Sequence, residues 1–222
     1  MVWLQGGPGS SSMFAVFNEN GPYIVDKDIK ISLNKYSWTQ QFSMLYIDNP
    51  VGTGFSYTND EKGFSRDQQN IADNLYEALQ QFFTLFSEYR NNEFYITGQS
   101  YAGKYIPAIG YKLHSMRNIS NINFKGIAIG NGWIDPITQL DIGSLLRTIG
   151  LIDEKQLQYF YYIQNKTSLE ILKENYTNAH ILYSKLMRKL FLIHFLYNIK
   201  LNQRLPTFFD LTILFIVCSI LY

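Results

Sequence analysis

An α/β architecture with a mainly parallel sheet is the fold class that this sequence of 222 residues predicts, and three observations point to it. Runs with strand character alternate with stretches of helical periodicity, the pattern of parallel strands joined by crossover helices. One run, Phe94-Tyr95-Ile96-Thr97, ends at Gly98 and passes through Gln99-Ser100-Tyr101-Ala102 directly into a helical pattern. Others close in turn-forming loops, at Gly6-Gly7-Pro8-Gly9, Asn49-Pro50 and Gly130-Asn131-Gly132. Ligands of such sheets sit at the carboxyl ends of the strands, so these loops are where a site is expected.

Composition narrows the function classes. Hydrophobic residues make up 46% and aromatics 16%, which suits one globular domain with a substantial core. The formal net charge is +1 with no long basic run, so nucleic acid is not an expected partner. The single cysteine, Cys218, excludes an internal disulfide and a multi-cysteine metal site. No metal or cofactor is implied. All 15 glycines lie at or before Gly150, and after His180 the only acidic residue is Asp210.

Taken in order, Val2-Trp3-Leu4 is an apolar stub that reads as a strand before the glycine loop. Nothing resembling a leader precedes it, so the chain reads as beginning inside a domain. Three glycines around Pro8 leave backbone N–H groups uncovered, able to point at an anion. No lysine follows in the P-loop pattern, so a phosphate cradle is not expected. Phe42 to Asp48 reads as a buried strand stopped by Asn49-Pro50. Ser65 and Gln68 are placed as a capping box for a helix whose stripe is Ile71, Leu75, Ala78, Leu79, Phe82, Phe83 and Phe86.

The strand at 94–97 then turns at Ser100 into a helix reaching about Arg117. Gly98 and the small Ala102 allow a sharp strand-to-helix elbow of the α/β-hydrolase kind, which lifts a serine hydroxyl clear of the sheet. Phe124 to Asn131 is a further buried strand, followed by a turn at Asp135-Pro136. Asp153 reads as a helix N-cap, opening a mostly helical segment to about Tyr183. The expected organisation is therefore a core over 1–134, a helical cap starting over 135–180, and an apolar tail over 181–222. Leu211–Tyr222 is too short to span a bilayer. The tail reads as foreign to the fold, with membrane contact the lesser alternative.

Four motifs in this order give a resemblance. They are Trp3-Leu4-Gln5-Gly6-Gly7-Pro8-Gly9-Ser10-Ser11-Ser12, the run from Asp48 to Tyr57, the run from Gly98 to Pro107, and Ile129 to Pro136. Together they resemble the serine carboxypeptidase family, most nearly its vitellogenic-like branch, in which Gln replaces Asn in the first motif. The resemblance covers about residues 2 to 180. It implies an α/β-hydrolase fold with an inserted helical cap, here partial and truncated at both ends. It also implies removal of C-terminal residues from peptides, in the secretory pathway, a lysosome or vacuole, or outside the cell.

Position by position, the resemblance makes Ser100 the nucleophile that forms an acyl-enzyme. It makes Gly7 and Tyr101 the residues whose amides form the oxyanion hole. Gln5, Glu19 and Gln99 match the positions that hold the substrate's terminal carboxylate. Two departures stand out. The family usually has Glu where this chain has Gln99, and Ser10 stands where a disulfide cysteine is common. A neutral Gln99 predicts carboxylate binding that depends less on acid.

The acid and histidine that complete a hydrolase triad follow the nucleophile in chain order, and the resemblance places both beyond the end of this sequence. His114 is about 21 Å along the helix from Ser100, and His180 and His194 lack the family's Gly-His context. Asp135 and Asp153 read as turn and cap residues. The expectation is a serine carboxypeptidase, with this chain inactive alone. The alternative is a non-catalytic fragment or pseudoenzyme that binds peptide C-termini, and an esterase or acyltransferase is a lesser third. Asn118-Ile119-Ser120, Asn165-Lys166-Thr167 and Asn175-Tyr176-Thr177 are glycosylation patterns that agree with a secretory setting.

Overall fold

The computed structural model describes the backbone of residues 1–201 and the side chains of residues 1–193. The apolar stretch Leu211–Tyr222, Cys218 and the side chain of His194 lie outside the described residues. The chain divides into two compact units, one from Met1 to Gly132 and one beginning at Trp133.

The first unit is built on a four-stranded parallel sheet. Its strands are β1 (Val2–Leu4), β4 (Leu45–Ile47), β5 (Phe94–Gln99) and β6 (Phe124–Gly130), in spatial order β4-β1-β5-β6. Val2 pairs with Leu45 on one side and Ile96 on the other, and Leu4 with Ile47 and Gly98. Parallel strands covered on both faces read as unbroken apolar runs. The all-buried Val2-Trp3-Leu4 and the interior of β5 fit that rule. Thr97 is the polar exception at 1% exposure, and its hydroxyl donates to the Val2 carbonyl at 2.7 Å.

Two long helices cover this sheet. Helix α2 (Gln68–Leu85) buries Ile71, Leu75 and Leu79, one turn apart, beside Tyr76 and Phe83. Helix α3 (Ala102–Ser115) contributes Tyr105, Ile106, Ile109 and Leu113 to the same core. Phe83 meets Phe94 edge-on at 5.2 Å. Ile71, Leu75, Leu79 and Phe83 of the expected stripe are therefore the core face of α2 and Phe82 is half-buried, but Ala78 and Phe86 are exposed, and the cap differs from the expected one. Asp67, not Ser65, is the N-cap, its carboxylate accepting the Asn70 amide at 2.8 Å. Ser65 instead accepts from the Asn74 side chain.

Between β1 and β4 lie three elements that sequence periodicity did not separate. Helix α1 (Met13–Asn18) is short, and β2 (Tyr23–Val25) and β3 (Ile31–Leu33) form an antiparallel hairpin. Three-residue strands give too little alternation to detect.

The second unit is helical. It comprises α4 (Ile142–Thr148), α5 (Glu154–Leu172) and α6 (Tyr176–Leu201) around Phe160, Ile163, Leu186 and Met187. Asp153 is the N-cap of α5 in a reciprocal capping box with Gln156, as its position suggests. Helix α6 runs through residue 181 without a break, and Leu190 and Ile193 join its core. No helix among the described residues is long and apolar enough to cross a membrane.

Candidate active site

Ser100 sits between the end of β5 and the start of α3 with φ of 58°, in the left-handed region that side chains rarely adopt. The chain passes there from the strand end directly into the helix. Two glycines make room for it. A Cβ on Gly98 would lie 2.2 Å from the Leu4 carbonyl oxygen. One on Gly6 would lie 2.7 Å from the Ser100 Cβ and 2.8 Å from the Tyr101 nitrogen. The glycine loop after β1 therefore passes directly over the elbow. Neither the Gly7 nor the Tyr101 amide donates a hydrogen bond within the described residues.

A polar cluster adjoins the elbow through Gln99. The Gln99 side-chain amide donates to Glu19 Oε1 at 2.7 Å, and that of Gln5 reaches the same oxygen at 3.4 Å. The Trp3 indole N–H, a donor only, holds Gln5 Oε1 at 2.8 Å, which turns the Gln5 amide group toward Glu19. Trp38 in turn packs edge-on against Trp3. Glu19 Oε2 is buried and has no partner. Burial holds the Glu19 carboxyl above its ordinary range, against the lowering effect of the bonds from Gln99 and Gln5. Tyr46, on the neighbouring β4, is pushed up to about 12 by burial and by the charge of Glu19.

A second anchor was not assigned a role from sequence. Asp48, buried at the carboxyl end of β4, accepts three hydrogen bonds. Ser11 Oγ and the Ser12 amide donate to Oδ1 at 2.8 and 2.7 Å, and the Phe55 amide donates to Oδ2 at 2.8 Å. Ser12 Oγ donates to the Ile47 carbonyl at 2.6 Å and accepts from the Gln5 amide at 3.1 Å. One carboxylate thus ties the glycine loop to the loop after Pro50. The first and second motifs hold all these residues but Ile47, so their adjacency in the fold was the available signal.

The arrangement places a strained serine, two unsatisfied amides and a single carboxylate flanked by two carboxamides at the ends of adjacent strands. A family model described as serine carboxypeptidase matches residues 1–204. The chain belongs to the serine carboxypeptidase family. Among similar family members, "Probable serine carboxypeptidase CPVL" of Pongo abelii is 48% identical over 190 residues, covering 84% of this chain and 40% of that protein. "Vitellogenic carboxypeptidase" of Aedes aegypti is 48% identical over 153 residues, covering 69% and 32%. The chain therefore spans about two fifths or less of these serine carboxypeptidases. The crystal structure of Kex1Δp, a prohormone-processing carboxypeptidase from Saccharomyces cerevisiae, aligns with a TM-score of 0.74 at 31% identity, covering 84% of this chain and 44% of that one. The fold is that of an α/β-hydrolase carboxypeptidase.

Of the residues singled out from sequence, the structure brings Gln5, Glu19 and Gln99 into one hydrogen-bonded cluster beside Ser100 and Tyr101. Within the first unit, residues 1–132, no histidine joins them. His114, the only histidine in residues 1–132, is exposed in the last turn of α3 beside Arg117. His180 is exposed on α6, in the second unit. A cavity of about 570 Å³ opens at the opposite, amino ends of β1, β4 and β5, lined by Met1, Leu45, Phe83 and Phe94, and holds none of these residues. No cluster of metal-ligating side chains occurs among the described residues.

Proposed function

We propose that this chain carries the nucleophile and the substrate-anchoring half of a serine-type carboxypeptidase that releases C-terminal residues from peptides. Ser100 would attack the carbonyl of the last peptide bond, forming an acyl-enzyme and releasing the C-terminal residue. The Gly7 and Tyr101 amides are the oxyanion donors, one on each side of the serine, and each such donor is worth about 2.7–4 kcal/mol of transition-state stabilisation. Gln5, Glu19 and Gln99 take the terminal carboxylate. Glu19 must hold a proton to do so, because an ionised carboxylate repels another. In that state it donates from the oxygen that is otherwise buried without a partner.

The observation that supports this reading is the contact between Gln99 and Glu19, one residue before Ser100 in the chain. It favours C-terminal peptide recognition over a general esterase. The chain alone is not expected to turn over. Residues 1–132 hold no histidine near Ser100, and without a general base the hydroxyl stays protonated. That same gap supports the second reading, a non-catalytic module that binds peptide C-termini. The likeness to a prohormone-processing carboxypeptidase supports a setting in the secretory pathway, a lysosome or vacuole, or outside the cell.

Two measurements test these statements. A peptide with a free C-terminal carboxylate should bind the chain at acid pH, and Glu19→Ala should abolish binding. Undiminished binding by that variant refutes the anchoring role. A fluorophosphonate probe should leave Ser100 unlabelled in this chain, and strong labelling there would show that a base is present after all.

A further inference from the structure

The sequence holds three Asn-x-Ser/Thr patterns, and their surroundings separate them. Asn165 lies in the middle of α5, and its partner Thr167 is 1% exposed with its hydroxyl donating to the Ile163 carbonyl one turn back. Asn175 is exposed between α5 and α6, but its amide donates to Glu170 at 2.8 Å and its oxygen faces the Asn178 amide. Asn118 differs from both. It lies just beyond the end of α3, where the Met116 carbonyl accepts from both the Ile119 and Ser120 amides, at 2.9 and 2.8 Å. Its side chain is exposed and makes no hydrogen bond within the described residues. Ile119 beside it is 75% exposed. Ser120 Oγ accepts from Gln80 and from the Ile122 amide, each at 3.1 Å, and keeps its own proton to donate.

We propose that Asn118 is an N-glycosylation acceptor, the preferred one of the three. The donor is an oligosaccharide linked through a pyrophosphate to a lipid. Asn118 Nδ2 forms a C–N bond to the anomeric carbon of the first sugar and loses a proton. The sugar–oxygen bond breaks, and the lipid pyrophosphate leaves with its electron pair. The free amide of Asn118 can be presented without breaking a bond of the fold. Asn175 would give up its tie to Glu170, and Thr167 would have to leave a packed helix face. Helix α3 has 14 residues, so its far end, just before Asn118, is about 21 Å along its axis from the elbow. A glycan there covers Ile119 and leaves the Ser100 end open.

The proposal rests on the secretory setting inferred above, so the test supplies that setting. The full chain with an appended cleavable leader is translated in the presence of microsomes. Glycopeptides are then opened with an amidase that converts a modified Asn to Asp, and occupancy is read by mass spectrometry. Occupancy should be highest at Asn118 and lowest at Asn165. Ser120→Ala should remove one glycan from the chain with Asn118 intact, and Ser120→Thr should restore it. An unmodified Asn118 in leader-cleaved chains overturns the proposal, as does occupancy of Asn165 equal to that of Asn118. Because the leader is supplied, neither result depends on where the native chain resides or on whether Ser100 is active.

Discussion

Gln99 donates to Glu19 across 2.7 Å, joining positions 80 residues apart, at a site where the family resemblance implies a pair of acids. Two carboxylates at that distance share a proton, and the pair repels an anionic substrate until it is acidified. With Gln99 the cluster carries one negative charge at most. Gln99→Glu should therefore weaken binding of a peptide with a free C-terminal carboxylate at pH 7 by about tenfold or more. The loss should shrink as pH falls. Affinity measured against pH for both forms checks this, and superimposable profiles would sink the idea.

The raised carboxyl of Glu19 has a consequence for stability. Its folded value lies above the ordinary 4.5, so between the two values the folded chain holds more proton than the unfolded chain. Stability from this group is full below the unfolded value and falls as pH rises through the folded one. Tyr46 is the ionisable neighbour whose own shift responds to Glu19, and it stays neutral throughout this range. Chemical denaturation across pH 4 to 8 should show this decline in the native chain and not in Glu19→Gln. Parallel curves for the two would refute it.

The parts of the site that sequence made legible are those set by local backbone geometry. Gly98, Ser100 and Ala102 specify a turn within five residues, and the parallel pairing of β5 with β6 followed from the alternation of strand, helix and strand, whereas the order of the four strands did not. The grouping of Gln5, Glu19 and Gln99 was not legible from spacing. It depends on β1 lying beside β5, and only the family resemblance anticipated it. The cap of α2 was misplaced because Ser65 and Asp67 both suit that role, and the choice is made by which oxygen reaches an amide of the first turn. Asp48 went unassigned because its three donors come from two other loops.

Those three donors make Asp48 a sensitive position. Replacing it by Asn turns one acceptor oxygen into a donor that faces either the Ser12 or the Phe55 amide. Leaving a buried donor unsatisfied costs about 1–3 kcal/mol, so Asp48→Asn should lower stability by about 2 kcal/mol or more. The urea midpoint should fall with little change in slope, since the surface exposed on unfolding is the same. It should also weaken peptide binding, because the freed loop carries Gly7. An unchanged midpoint would show that the Asp48 contacts add nothing to stability.

The left-handed backbone at Ser100 separates two substitutions that remove the same hydroxyl. Ser100→Ala keeps a Cβ at φ of 58° and so keeps the strain. Ser100→Gly removes the Cβ and its clash, at the cost of a more flexible unfolded chain. The relief in the left-handed region is about 1–2 kcal/mol and the added unfolded-state entropy about 0.5–1 kcal/mol. Ser100→Gly should therefore be the more stable of the two, by up to about 1.5 kcal/mol. Ordinary helix and strand positions give the opposite order. Thermal or urea unfolding of the pair measures the difference, and a more stable alanine variant would mean that the elbow stores no strain.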